Sequence, residues 1–74
     1  MDATIYEIRV EGELSPIWSE WFEGLSLRYV CEQAGEPGYT VLSLRASDTA
    51  RLHGVLAQIG YLNLKLLSVE RRDA

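Results

Sequence analysis

The sequence predicts one α+β domain with the element order β-α-β-β-α-β. Three observations carry this. Four stretches are rich in β-branched and other large apolar residues, two others repeat apolar residues every three or four positions, and Gly or Pro marks most of the joins. At 74 residues the chain is about half the commonest domain length, so a single unit over residues 1–74 around one core is expected.

The first stretch, Thr4-Ile5-Tyr6-Glu7-Ile8-Arg9-Val10, puts Tyr6, Ile8 and Val10 on one side and Glu7 and Arg9 on the other. That is the pattern of a half-buried strand. Ser15-Pro16 reads as a helix start, since the Ser15 hydroxyl accepts from an orphan N–H and Pro16 has none to lose. Leu14, Ile17, Trp18, Trp21, Phe22 and Leu25 then recur at helical intervals, Ser19, Glu20 and Glu23 take the water side, and Gly24 is the expected stop. Trp18, Trp21 and Phe22 are thereby expected in the core, with Phe22 at the edge of the stripe. Truncating either Trp to Ala is expected to cost about 3–5 kcal/mol.

From Leu25 to Glu32 the alternation returns, with Leu25, Leu27, Tyr29 and Cys31 inward and Ser26, Arg28, Val30 and Glu32 outward. Gly35-Glu36-Pro37-Gly38 suits a type II turn, so this strand joins the next as a hairpin. In that next strand, Tyr39 to Arg45, Leu42 and Leu44 point inward, with Tyr39, Val41, Ser43 and Arg45 outward. Ser47 or Asp48 caps a second helix whose inner stripe is Leu52, Val55, Leu56 and Ile59 and whose end falls near Gly60. Leu62 to Val69 is a nearly continuous apolar run, read as a fourth strand with faces that alternation does not assign. Residues 71–74 are expected to fray. This order is the split βαβ arrangement: a four-stranded antiparallel sheet, order 4-1-3-2, with both helices on one face.

Composition narrows the function. Eleven acidic against seven basic residues give a net charge of −4, which disfavours nucleic acid and anionic membranes as partners. No run approaches the roughly 20 apolar residues of a membrane span, and the chain reads as cytoplasmic. Cys31 and His53 are each the only residue of their kind, so there is no intrachain disulfide and no zinc-ligand spacing. Neither a metal nor a cofactor is expected. A chain this short buries only about 60–65% of its unfolded surface, which makes self-association the expected reinforcement. The surface for it is the sheet face without helices: Ile5, Glu7, Arg9, Arg28, Val30, Tyr39, Val41, Ser43 and Arg45. Across a two-fold axis, Glu7 and Glu32 would meet Arg9, Arg28 or Arg45 of a second copy.

Candidate chemistry is thin. His53, set on the second helix a quarter turn off its inner stripe, is a weak candidate base, because catalysis needs an orienting partner and a cleft. Gly54 beside it has no explanation in the core. Glu7, Glu11, Glu13, Glu20 and Glu23 form a solvated acidic surface. The outer strand positions Ile5, Glu7, Arg9, Val41 and Ser43 supply no aromatic on which single-stranded RNA stacks.

With these segments placed, the chain resembles a family of short uncharacterised bacterial proteins. The residues that carry the likeness are Tyr6-Glu7-Ile8-Arg9-Val10 with Gly12 and Leu14, Trp18-Ser19-Glu20-Trp21-Phe22-Glu23-Gly24-Leu25, Leu52-His53-Gly54-Val55-Leu56, and Leu66-Leu67-Ser68-Val69. The likeness spans nearly the whole chain. It implies a compact ferredoxin-like fold in a bacterial cytoplasm and transfers no catalytic residue. The leading expectation is a small interaction or regulatory module, a homodimer or the binder of another protein. An ACT-like sensor holding a small ligand at a subunit interface is the first rival, and a cofactor-free dimeric αβ-barrel enzyme using His53 the second.

Overall fold

The computed structural model describes residues 4–72 and holds six elements: β1 (Thr4–Glu11), α1 (Trp18–Trp21), β2 (Leu25–Val30), β3 (Tyr39–Ala46), α2 (Ala50–Tyr61) and β4 (Leu66–Arg72). The strands form one antiparallel sheet in the order β2-β3-β1-β4, which read from its other edge is the expected 4-1-3-2. β1 and β3 pair without interruption from Thr4↔Ala46 to Glu11↔Tyr39. Period-two alternation along β1 puts Tyr6, Ile8 and Val10 on one face, where they join Leu25, Leu42, Leu44 and Ala46 in a buried cluster. Trp18 of α1 and Val55 and Ile59 of α2 close on that same cluster, with Phe22, Leu52 and Leu56 packed at its margin. Both helices therefore share one flank. Each fully buried aliphatic such as Ile8, Leu42, Leu44 or Val55 contributes about 1.5–3 kcal/mol relative to exposure.

α1 is shorter than the apolar spacing predicts. It makes one turn, after which Phe22 is extended (φ −129°, ψ 118°) and Gly24 sits at φ +81°. Ser15 does accept from a backbone N–H, that of Ile17 at 3.3 Å, but a single turn carries the nucleation cost of a helix with little propagation to offset it. One turn turns only part of the stripe inward. Trp18 is buried, whereas Trp21, expected in the core, is 48% exposed.

α2 follows expectation more closely. The N-cap position falls at Thr49, whose side chain makes no capping bond. Asp48, one residue earlier, serves the first turn instead, its Oδ1 accepting from the Ala50 N–H at 3.0 Å. The helix runs one residue past Gly60, because the reversal occurs at Asn63, the residue at φ 57°. There the Asn63 N–H donates to the Gly60 carbonyl and the Leu64 N–H to the Ile59 carbonyl, both at 3.0 Å, which is the paired closure of a Schellman motif.

Three further expectations are corrected. The tight turn between β2 and β3 lies at Ala34-Gly35, both at positive φ, with Gln33 and Glu36 exchanging backbone hydrogen bonds at 3.1 and 2.7 Å. A two-residue hairpin loop favours this primed geometry over a type II turn at Pro37-Gly38, because its twist matches that of the strands. β2 ends at Val30, so the alternation does not carry Cys31 inward, and the thiol is exposed. β4 begins four residues later than the apolar run and continues through Arg71 and Arg72, which pair with Tyr6 and Ile5 and are not frayed. Asp73 and Ala74, the rest of the stretch expected to fray, lie outside the described residues.

Candidate functional site

Two helices of four and twelve residues do not cover the inner face of a four-stranded sheet evenly. The central strands are sealed. The outer strands are not.

At the β2 edge the single turn of α1 leaves an open groove of about 420 Å³. Its floor is Leu25 and Leu27 of β2 with Leu14. Pro16 and Ser19 form the α1 side, and Tyr29, Ser26, Glu13 and Thr40 complete the lining. Thr40 builds the end wall: its buried hydroxyl donates to the Gly12 carbonyl at 2.7 Å and accepts from the Leu14 N–H at 3.1 Å, pinning the β1–α1 connection to β3. Tyr29 stands over Gly38, where a methyl group would overlap its hydroxyl. The alternation that turns Leu42 and Leu44 inward also turns Thr40 inward, which is the sequence signal for its role.

At the β4 edge Val69 lies opposite Ile8 and so belongs to the helix-bearing face, yet α2 does not reach far enough to cover it. Leu62, Leu66, Leu67 and Val69 are 43, 44, 46 and 40% exposed. The pairing skips Leu67 between Val10↔Leu66 and Arg9↔Ser68, a bulge that bends the start of the strand.

The face without helices differs in kind. Arg9 pairs with Glu7 at 3.0 Å and Glu70 at 3.7 Å, and Arg72 with the same two carboxylates at 3.4 and 3.1 Å. Lys65 reaches Glu11 at 3.5 Å. Val41, opposite both Arg9 and Arg28, is 2% exposed. Of the residues expected to face a second copy, Ile5, Glu7, Arg9, Val30, Tyr39 and Ser43 are half-buried, and Arg28 and Arg45 are exposed with no ion-pair partner among the described residues. The Arg9 Nε and the Ser68 Oγ, on register partners, are buried without a hydrogen bond.

His53 is exposed on α2 and lines neither the groove nor the smaller cavity of about 110 Å³ beside Cys31. Among the described residues no orienting group and no cleft meets its imidazole. Gly54 faces Phe22 across the helix layer, 3.7 Å separating the ring from the place a methyl would take. Among the described residues no three His, Cys, Asp or Glu side chains gather where they could hold a metal ion, and no helix is long and apolar enough to cross a membrane.

The architecture defines a one-sheet α+β module whose helix layer seals the centre of the sheet and leaves apolar margins at both edges. The chain belongs to the DUF8691 family, a domain of unknown function, whose profile matches residues 5–70. No curated protein and no solved structure matches it significantly.

Proposed function

We propose that this chain, a ferredoxin-like domain, is a small protein-interaction module that works as a self-associated pair joined along the free edge of β4. The observation that carries this reading is the apolar strip at that edge, four large side chains each at least 40% exposed, beside a strand that among the described residues pairs on one side only. Exposed edges of this kind are normally blunted or covered. A two-fold axis near Ser68 sets Leu67 of one copy against Val69 of the other, twice, and extends the sheet to eight strands. Such a seam uses the same edge of both copies and so closes as a pair and not as an open fibre. The face without helices, where the sequence alone puts the seam, has less need of a partner, because Glu7, Arg9, Glu70 and Arg72 already neutralise one another.

Light scattering across a micromolar-to-millimolar series tests this directly. The wild-type chain is expected to reach the mass of a dimer, and Val69→Lys to remain monomeric, while Arg45→Glu on the helix-free face leaves the dimer intact. A monomer at every concentration ends the proposal. A dimer lost with Arg45→Glu but kept with Val69→Lys returns the seam to the helix-free face.

A further inference from the structure

We infer that the β2 edge, with the groove beside it, is a binding site for an extended peptide that adds to the sheet as a fifth strand. Two separate features meet there. β2 is the outermost strand on its side, pairing with β3 alone among the described residues, so the N–H and C=O groups of every second residue point outward and call for another backbone. The inner-face side chains of that same strand, Leu25, Leu27 and Tyr29, form part of a groove of about 420 Å³, room for one or two large apolar side chains. Together they reproduce the division of labour in strand addition, in which backbone hydrogen bonds supply affinity and pockets for alternate side chains supply selection.

Charge narrows the occupant. On the opposite face of β2, Arg28 is exposed and has no ion-pair partner among the described residues. A peptide strand lying against β2 alternates its side chains in the same way. Residues directed to the groove side are therefore apolar, and the intervening residue opposite Arg28 is acidic. The partner is an extended segment with alternating apolar and acidic residues. This inference does not rest on self-association, which uses the other edge of the sheet.

The probe is an acetylated and amidated heptapeptide, Thr-Val-Glu-Phe-Glu-Val-Thr, compared with a version carrying lysine for both glutamates and another carrying proline for the central phenylalanine. Titrated into the full-length 15N-labelled chain, the glutamate peptide is expected to shift the amide signals of Leu25 to Val30 and of Thr40. The proline peptide, which lacks a central donor, is expected to leave them in place. Arg28→Glu is expected to weaken the glutamate peptide about two- to fivefold, the range of one exposed ion pair, and to favour the lysine version instead. Arg28→Gln gives the same direction should the reversed charge disturb the fold. The Val69→Lys chain is expected to bind as the wild type does, which separates this site from the pair at β4. No shift at millimolar peptide, shifts confined to β4, or equal binding of the glutamate and lysine peptides overturns the inference.

Discussion

Gly54 costs α2 about 1 kcal/mol relative to alanine, and little in its surroundings requires it. A methyl group there would rest at ordinary contact, 3.7 Å from the Phe22 ring, and the backbone has no positive φ at that position. Gly54→Ala is expected to stabilise the domain by about 0.5–1 kcal/mol and to raise its thermal midpoint by a few degrees. Gly24 is the contrast. It sits at φ +81°, and a methyl group would come within 2.7 Å of the Arg45 carbonyl oxygen, while its own carbonyl accepts from the Arg45 N–H at 3.0 Å. Gly24→Ala is expected to cost at least about 2 kcal/mol, combining left-handed strain with a backbone clash. Calorimetry on the two variants checks both signs, and a destabilising Gly54→Ala would mean that α1 and α2 pack more tightly than this contact implies.

At the scale of elements, one turn of helix separates two tryptophans that the sequence treats alike. Trp18 is buried, and Trp21 packs against it in a tilted arrangement, 5.7 Å between ring centroids, while remaining half in solvent. Trp18→Ala is expected to cost about 3–5 kcal/mol, enough to unfold so small a domain. Trp21→Ala is expected to cost about 1 kcal/mol, the size of an aromatic pair. Urea titration separates them, and equal losses would contradict the geometry. The same element shows what a sequence carries. β1 and α2 were legible because their apolar periods, two and 3.6, persist over 8 and 12 residues, long enough for Ile8 and Val55 to be placed inward by pattern alone. α1 was not, since the spacing of Trp18, Trp21 and Phe22 says which residues would share a stripe but not how many turns the chain completes. Pro37-Gly38 outweighed Ala34-Gly35 as a turn signal because an alanine at positive φ is tolerated only when the hairpin around it imposes the conformation. β4 stayed open because Leu66, Leu67 and Val69 show no alternation, and only the bulge and the pairing with β1 settle which side they take.

At the scale of the whole molecule, the uneven cover of the sheet bears on stability. β1 and β3 are buried on one face by the helix layer and held on the other by Val41 and the ion pairs. β4, in contrast, pairs among the described residues with β1 alone and keeps its apolar side in water. A domain of this size has only a few kcal/mol to lose, so a pair formed at β4 must appear in its unfolding. Association that requires the folded state stabilises by mass action, on the order of 2.7 kcal/mol when the partner concentration reaches a hundredfold excess over the dissociation constant. The thermal midpoint of the wild-type chain is therefore expected to climb by on the order of 10 °C or more between micromolar and millimolar protein. That of Val69→Lys is expected to stay level with concentration, since the lysine keeps β4 from pairing with a second copy. It is also expected to start lower than the wild-type value, because Val69, opposite Ile8, is only 40% exposed. Calorimetry at three or four concentrations distinguishes the two. A wild-type midpoint independent of concentration would mean that the strip along β4 is plain solvated surface and that the sheet ends there.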